Sequence, residues 1–215
     1  MYAKILNGAI VIYPYTWDQF TRDNNNTVYS LPLPDLATVF PNSIAAVGGY
    51  QLVSVQTVVT PTYDTITQYL QEGTPVLTNG VWTQVWNVVD MPLATAQANK
   101  QASLLASYQA AVNGPVSFTN AAGVASKYSA GSVMAINGRT ANENLTDALT
   151  AGSAAWTLGK WLDINNVAQT FTYADLQGLA AAMEAATSLD WQDLVAKVAD
   201  VQAATTTADL RTITF

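Results

Sequence analysis

The sequence predicts an α+β protein with a β-rich N-terminal module, a connecting α-helix and a small α+β C-terminal module. Short runs rich in Val, Thr and Tyr, separated by turn residues, fill the first part of the chain. Long segments rich in Ala and Leu dominate after Pro92. We therefore place the modules at residues 1–90, 91–113 and 114–215. Half of the 215 residues are apolar, which is enough for packed cores.

The N-terminal module opens with two apolar runs joined by Asn7 and Gly8. Both residues tolerate the positive φ of a type I′ turn, so this pair predicts a β-hairpin. A short helical turn is expected at residues 16–22. The proline, asparagine and glycine residues of 24–49 argue against a long helix or strand in that segment.

Three further strands are expected in the same module, at residues 50–60, 66–77 and 81–88. The pairs at 72–73 and 79–80 each contain the glycine that a tight turn favours. This order predicts an exposed β-meander whose last strand carries two tryptophans on one face.

The connecting segment predicts a helix over residues 93–112, because it contains neither Gly nor Pro and is rich in Ala, Gln and Leu. Asn113 and the Gly and Pro that follow end it. Its apolar stripe consists of Ala98, Ala102, Leu105, Tyr108 and Val112. Because this stripe is narrow and mostly alanine, we expect it to contact a neighbouring helix or the other chains of a trimer.

The C-terminal module is expected to begin with short apolar segments near residues 116–118 and 128–136. A helix over 141–152 follows, and then a hairpin formed by residues 156–165 and 167–173.

Two further helices are predicted near the end of the chain. Thr172 and Asp175 have the spacing of a capping box and begin the first of these helices. The second spans residues 190–204, and residues 208–215 form a tail.

Composition limits the chemistry that this chain can perform. Only 11% of the residues are charged and the net charge is −7, without clustered Lys or Arg, which argues against nucleic acid as a ligand. The absence of Cys and His excludes disulfides, zinc–thiolate sites and a Ser-His-Asp triad. We expect no enzyme, no cofactor and no metal. No segment reaches eighteen consecutive apolar residues, so we expect a soluble protein without membrane insertion.

Paired carboxylates remain a formal possibility for glycoside hydrolysis. The acidic candidates in the C-terminal module are Asp163, Asp175, Glu184 and Asp190. Asp175 and Asp190 look like N-cap or first-turn residues of helices, where Asp is common for structural reasons. The structural interpretation is therefore favoured.

Several motifs resemble the proteins of bacteriophage tails. The start of the chain resembles that of many tail-fibre and tail-associated proteins at Tyr2-Ala3-Lys4-Ile5, Asn7-Gly8, Tyr13-Pro14-Tyr15, Phe20 and Arg22-Asp23-Asn24. The same group is similar at Glu72-Gly73-Thr74-Pro75 and Asn79-Gly80-Val81-Trp82-Thr83-Gln84-Val85-Trp86. A domain of unknown function from the C-terminal side of phage tail proteins is similar at Lys127-Tyr128, Arg139, Trp161, Asp163, Asn165-Asn166 and Phe171-Thr172-Tyr173-Ala174-Asp175-Leu176.

The resemblance implies a virion structural protein, a tail fibre or fibre-adaptor subunit involved in viral assembly and host attachment. Its expected partners are other phage tail or baseplate proteins and further copies of itself, as a homotrimer by the usual symmetry of fibres. A host surface glycan is a further possible partner. The protein would be made in the host cytoplasm and located in the phage tail. The alternatives are a tail-fibre assembly chaperone and a carbohydrate-binding receptor module.

Five aromatic residues are the candidates for interaction: Tyr13, Tyr15, Trp17, Trp82 and Trp86. The first three could anchor a tail partner, since Tyr and Trp dominate interface hot spots, or could pack in the core. The pair Trp82 and Trp86 could form a platform on which a sugar stacks. Packing of this pair under the long helix is the favoured interpretation.

Overall fold

The α+β class is confirmed by the structure, a computed structural model. It describes residues 1–23, 50–131, 138–157 and 159–215. These form two compact units, Met1–Asp90 and Met91–Phe215. The predictions for the segment 24–49, and for the part of 128–136 beyond residue 131, lie outside the described residues.

The described residues of the first unit form a five-stranded sheet and one short helix. Its elements are β1 (Tyr2–Leu6), β2 (Ala9–Ile12), α1 (Trp17–Asp23), β3 (Tyr50–Gln56), β4 (Gln68–Thr78) and β5 (Val81–Asp90). The strand order is β2-β1-β3-β5-β4, with β3 parallel to β5 and the other pairs antiparallel. The predicted meander is therefore wrong. Residues 57–67 form a connection long enough to let β5 lie between β3 and β4.

Two of the three predicted turns are confirmed. Asn7 and Gly8 have φ of 49° and 78°, and Asn79 and Gly80 have φ of 50° and 79°. The turn at residues 72–73 is wrong, because β4 continues through it and a bulge lies between Gly73 and Val76 instead. Pro75, between these two residues, has no N–H to donate to the ladder, and this explains why the bulge lies at this position.

In the described part of the second unit, helices are combined with two short antiparallel hairpins. Its elements are α2 (Leu93–Val112), β6 (Val116–Thr119), β7 (Ala125–Tyr128), α3 (Ala141–Ala151), β8 (Lys160–Leu162), β9 (Ala168–Thr170), α4 (Tyr173–Ala203) and α5 (Thr207–Thr212). The helices predicted at 93–112 and 141–152 are confirmed. The predicted hairpin is confirmed but shorter than expected, and Trp156 lies outside its strands.

The end of the chain differs from the prediction. One helix of 31 residues, α4, replaces the two predicted ones, because neither Gly nor Pro interrupts the chain between Met183 and Asp190. Asp190 thus lies inside the helix and does not cap it. The predicted tail contains α5, which begins with a capping box of Thr206 and Asp209.

Two clusters of buried side chains hold the second unit together. The first joins both hairpins to α3 and to the first half of α4, through Tyr128, Ala130, Leu145, Phe171, Leu176, Leu179 and Met183. The second joins α2, α5 and the second half of α4, through Ala96, Leu104, Leu194, Val201, Leu210 and Ile213. The helix expected to connect the modules is therefore part of the core of the second unit.

Candidate functional site: contact surfaces of the two units

Tyr13 belongs to a hydrogen-bonded group that ties the N-terminal hairpin to the β4–β5 hairpin. Its hydroxyl donates to Glu72, and the Gln84 side chain donates to the same carboxylate at 2.5 Å. The buried Gln84 also accepts from the backbone N–H of Val58 at 3.3 Å. Burial, together with the hydrogen bond and charge of Glu72, raises the pKa of Tyr13 to about 12. Tyr13 thus has a structural contact within the unit.

Tyr15 is a core residue, with 5% of its surface exposed. It forms a buried cluster with Phe20 and Leu52, against which the half-buried Trp17 packs. The Trp17 and Phe20 rings meet edge to face at 5.2 Å. Little of Tyr15 is left for a partner, whereas Trp17 remains partly accessible.

An ion pair fixes α1 to the sheet. The Lys4 ammonium lies 2.5 Å from the Asp23 carboxylate and 4.3 Å from the centre of the Tyr50 ring. The Tyr15 hydroxyl donates to Asp23 at 2.7 Å. The hydrogen bond from Lys4, followed by that from Tyr15, holds the pKa of Asp23 below its usual value.

Trp82 and Trp86 have different surroundings. Trp82 is half-buried and borders an open cleft of about 240 Å³ that is also lined by Val53, Ser54 and Gly80. Trp86 lies across the ladder from Glu72, and its buried indole nitrogen has no hydrogen-bond partner among the described residues. Of these two rings, Trp82 is therefore the one placed to meet a ligand in this cleft.

The end of the β4–β5 hairpin exposes apolar side chains that the sequence did not single out. Val76, Leu77 and Val81 are 50%, 57% and 47% exposed. Leu77 is opposite Trp82 in the ladder, so these two share a face. β4 is also an edge strand of the sheet. We call Val76, Leu77 and Val81 the hairpin tip.

Two of the acidic candidates of the second unit, Asp163 and Asp175, have structural roles. The buried Asp163 accepts hydrogen bonds from the backbone of Asn165 and Val167, at 2.9 and 3.0 Å, and from the Ser126 hydroxyl at 3.0 Å. The bond from Val167 is the main cause that lowers the pKa of Asp163, and burial opposes it. An acid that ionises so readily is a poor proton donor near neutral pH.

Asp175 is the N3 residue of the α4 capping box, as predicted. Its carboxylate accepts from the backbone and hydroxyl of Thr172, both at 2.7 Å, and from the backbone of Ala121 at 2.7 Å. Burial would raise the pKa of Asp175, but these hydrogen bonds outweigh burial and lower it. This carboxylate holds the start of α4 against the loop that follows β6.

The stripe predicted to be the apolar contact of α2 faces solvent along most of its length. The buried residues of α2 are Ala96, Lys100 and Leu104. Ala98 and Ala102 are exposed, and so is Leu105, at 47%. Sequence periodicity thus identified an apolar stripe, but the core of this unit uses a neighbouring face of the helix.

An aromatic cluster lies beside this exposed stripe. The Tyr108 ring of α2 meets Trp191 of α4 at 5.8 Å and Phe215 at 6.4 Å, both near edge to face. Trp191 is 54% exposed and Val195, one turn further along α4, is 51% exposed. Sequence reasoning missed Trp191 and Phe215. The available signal was the spacing of Trp191 and Val195 at one helical turn.

Within the described ranges, no three Asp or Glu side chains lie close enough together to hold a metal ion. None of the helices described is both long and apolar enough to cross a bilayer. Comparisons with protein families, with curated proteins and with solved structures find no match.

Proposed function

We propose that the chain is a structural component of a bacteriophage tail, a fibre or fibre-adaptor subunit that acts through protein–protein assembly. The motifs at the start of the chain and around residues 72–86 support the tail assignment by their resemblance. A polypeptide in which only 11% of the residues are charged also suits a subunit that buries much of its surface.

The hairpin tip is the observation that carries the assembly proposal. Val76 and Leu77 are about half exposed near the end of the edge strand β4, and the similarly exposed Val81 is the first residue of β5. Exposed apolar clusters commonly mark contact sites, and edge strands offer unpaired backbone groups to a partner. In this proposal the first unit docks onto a tail or baseplate protein through the hairpin tip.

The test places a charge on the hairpin tip with Leu77→Glu. Val59→Glu is the matched control, because Val59 is 93% exposed in the same unit but lies outside the hairpin. Each variant is supplied in trans to a phage that lacks the gene, and mass spectrometry of purified virions measures the incorporated protein. We expect the wild type and Val59→Glu at virion stoichiometry and Leu77→Glu strongly reduced.

Two results would contradict the proposal. A wild-type protein missing from the particles, but needed to produce fibres, would identify the assembly chaperone instead. Equal incorporation of Leu77→Glu and the wild type would exclude the hairpin tip as the docking surface.

The cleft beside Trp82 favours the carbohydrate-binding receptor module as a second candidate function. A partly exposed indole next to an open cleft can stack on a sugar ring. Under this hypothesis Trp82→Ala loses glycan-array binding while its thermal unfolding midpoint stays near that of Val88→Ala, a control on the same strand that is 40% exposed and lies outside the cleft. A variant that unfolds, or that binds glycans as the wild type does, would count against it.

A further inference from the structure

α2 and α4 are antiparallel and together form one uncharged surface. Gln97 of α2 contacts the end of α4, whereas Tyr108, further along α2, meets Trp191, which precedes that end. Along the side of α4 that carries Trp191, successive residues spaced three or four positions apart share a face: Ser188, Trp191, Val195, Ala199 and Gln202. The matching series on α2 is Ala94, Ala98, Gln101, Leu105, Tyr108 and Val112. We call these two series the neutral face.

The charges of the two helices lie away from the neutral face. Lys100 is the one charged residue of α2, and it is 9% exposed. The charged residues of α4 that accompany Trp191 and Val195 recur on a different side of the helix, at Asp190, Asp193, Lys197 and Asp200. The second half of α4 thus has one neutral side and one acidic side.

We propose that the neutral face binds the neutral face of a second copy of this chain. Copies with a net charge of −7 repel one another, and an uncharged face lets them approach without placing like charges together. A basic partner would be attracted to the acidic side of α4 instead. An antiparallel helix pair can also match itself across a two-fold axis.

The size of the surface fits this partner. A helix of 20 residues is about 30 Å long, and two packed helices of about 10 Å diameter are together about 20 Å wide, so the pair presents roughly 600 Å² to a partner. Specific interfaces bury about 600–1,000 Å² on each side, so this surface lies at the lower end of that range. Trp191 and Leu105 provide large side chains near the centre of such a contact, where interface energy concentrates.

The experiment compares two glutamate substitutions on the same helix. Val195→Glu places a charge on the neutral face. Leu189→Glu is the matched control, because Leu189 is 66% exposed and shares the acidic side with Asp193. Ala98→Glu repeats the test from α2. Light scattering coupled to size exclusion measures the native mass of each full-length variant, and circular dichroism shows whether it is folded.

We expect the wild type and Leu189→Glu to have a native mass of at least twice 22.9 kDa. Val195→Glu and Ala98→Glu should be folded and should weaken self-association by at least about 100-fold, since opposed like charges cost several kcal/mol. A monomeric wild type at high concentration, or equal masses for all variants, would overturn the proposal.

An engineered thiol gives a second measurement, because the chain contains no cysteine. Gln101→Cys on the neutral face should form an intermolecular disulfide under mild oxidation, whereas Asp193→Cys should not. The inference rests on the proposed assembly function for its biological meaning, but its test is separate. Self-association lost in Val195→Glu would stand even if the chain proved absent from virions.

Discussion

Gln97 donates its side-chain amide to the backbone carbonyls of Val201 and Ala204, at 3.0 and 3.2 Å. These carbonyls belong to the last turn and the C-cap of α4, where intrahelical donors run out. One side chain of α2 therefore closes the end of α4, more than a hundred residues away in sequence. The contact fixes the relative position of the two helices and so aligns Tyr108 with Trp191.

Substituting Gln97→Ala should lower the free energy of unfolding of the second unit by about 1–2 kcal/mol, since it leaves two carbonyls without their partner. Urea unfolding followed by helical circular dichroism measures the loss. Gln109→Ala, on an exposed position of the same helix, is the control and should change little. Equal stability of both variants would mean that the amide contact contributes nothing.

We expect Tyr13 to make the free energy of unfolding of the first unit depend on pH in the alkaline range. Its pKa rises from 10.0 to about 12 on folding, so the folded state keeps a proton that the unfolded state loses. The contribution is complete below pH 10 and declines as the pH rises towards 12. Tyr13→Phe should lose less stability over that range than the wild type, as urea unfolding at stepped pH would measure. Tyr63→Phe, on an exposed tyrosine of the same unit, should behave as the wild type does.

Asp175→Ala should destabilise the second unit by about 1–3 kcal/mol, because it removes half of a capping box and leaves the Ala121 N–H without its acceptor. Because the pKa of Asp175 is lowered in the folded state, its contribution to stability depends on pH. Its stabilisation is present above the unfolded value of 3.8 and is lost as the pH falls below it. Asp190→Ala, inside the same helix, is the control for thermal unfolding at neutral pH. A larger loss for Asp190→Ala would contradict the assignment of the cap.

Tyr15→Phe distinguishes a core role of the N-terminal aromatic cluster from a docking role. It removes the hydroxyl that donates to Asp23 but keeps the buried ring. We expect a loss of about 1 kcal/mol in the first unit, since Asp23 is partly exposed and solvent screens its charge. Incorporation into virions should remain as in the wild type. Unchanged stability with reduced incorporation would instead identify Tyr15 as a docking residue.

Local chemistry explains which elements could be predicted. Asn-Gly pairs at 7–8 and 79–80 form turns because few other residues accept positive φ at both positions. Thr172 and Asp175 begin α4 as their spacing predicts. The sequence predicts a turn at Gly73 where the structure has a bulge, because both features favour glycine. Whether the chain turns or bulges at this point depends on whether β5 pairs with both parts of β4.

The candidate surfaces were predicted less completely. Trp82 was recognised from its strand, but Leu77 was not, because its place opposite Trp82 depends on the register of the ladder. The sequence also predicts the apolar stripe of α2, as a contact with a neighbouring helix or with other chains. Trp191 joins that stripe only through the packing of α2 against α4.

The sequence by itself determined the α+β class, the Asn-Gly turns and the extent of α2 and α3, since these follow from backbone preferences and periodicity within short segments. Only the tertiary structure decided the strand order and the buried face of α2. Alanine and glutamine give that helix several faces of similar polarity, so its own residues do not determine which face is buried. The selection comes from Leu194, Val201 and Leu210, whose side chains pack on Ala96 and Leu104 and leave the neutral face exposed.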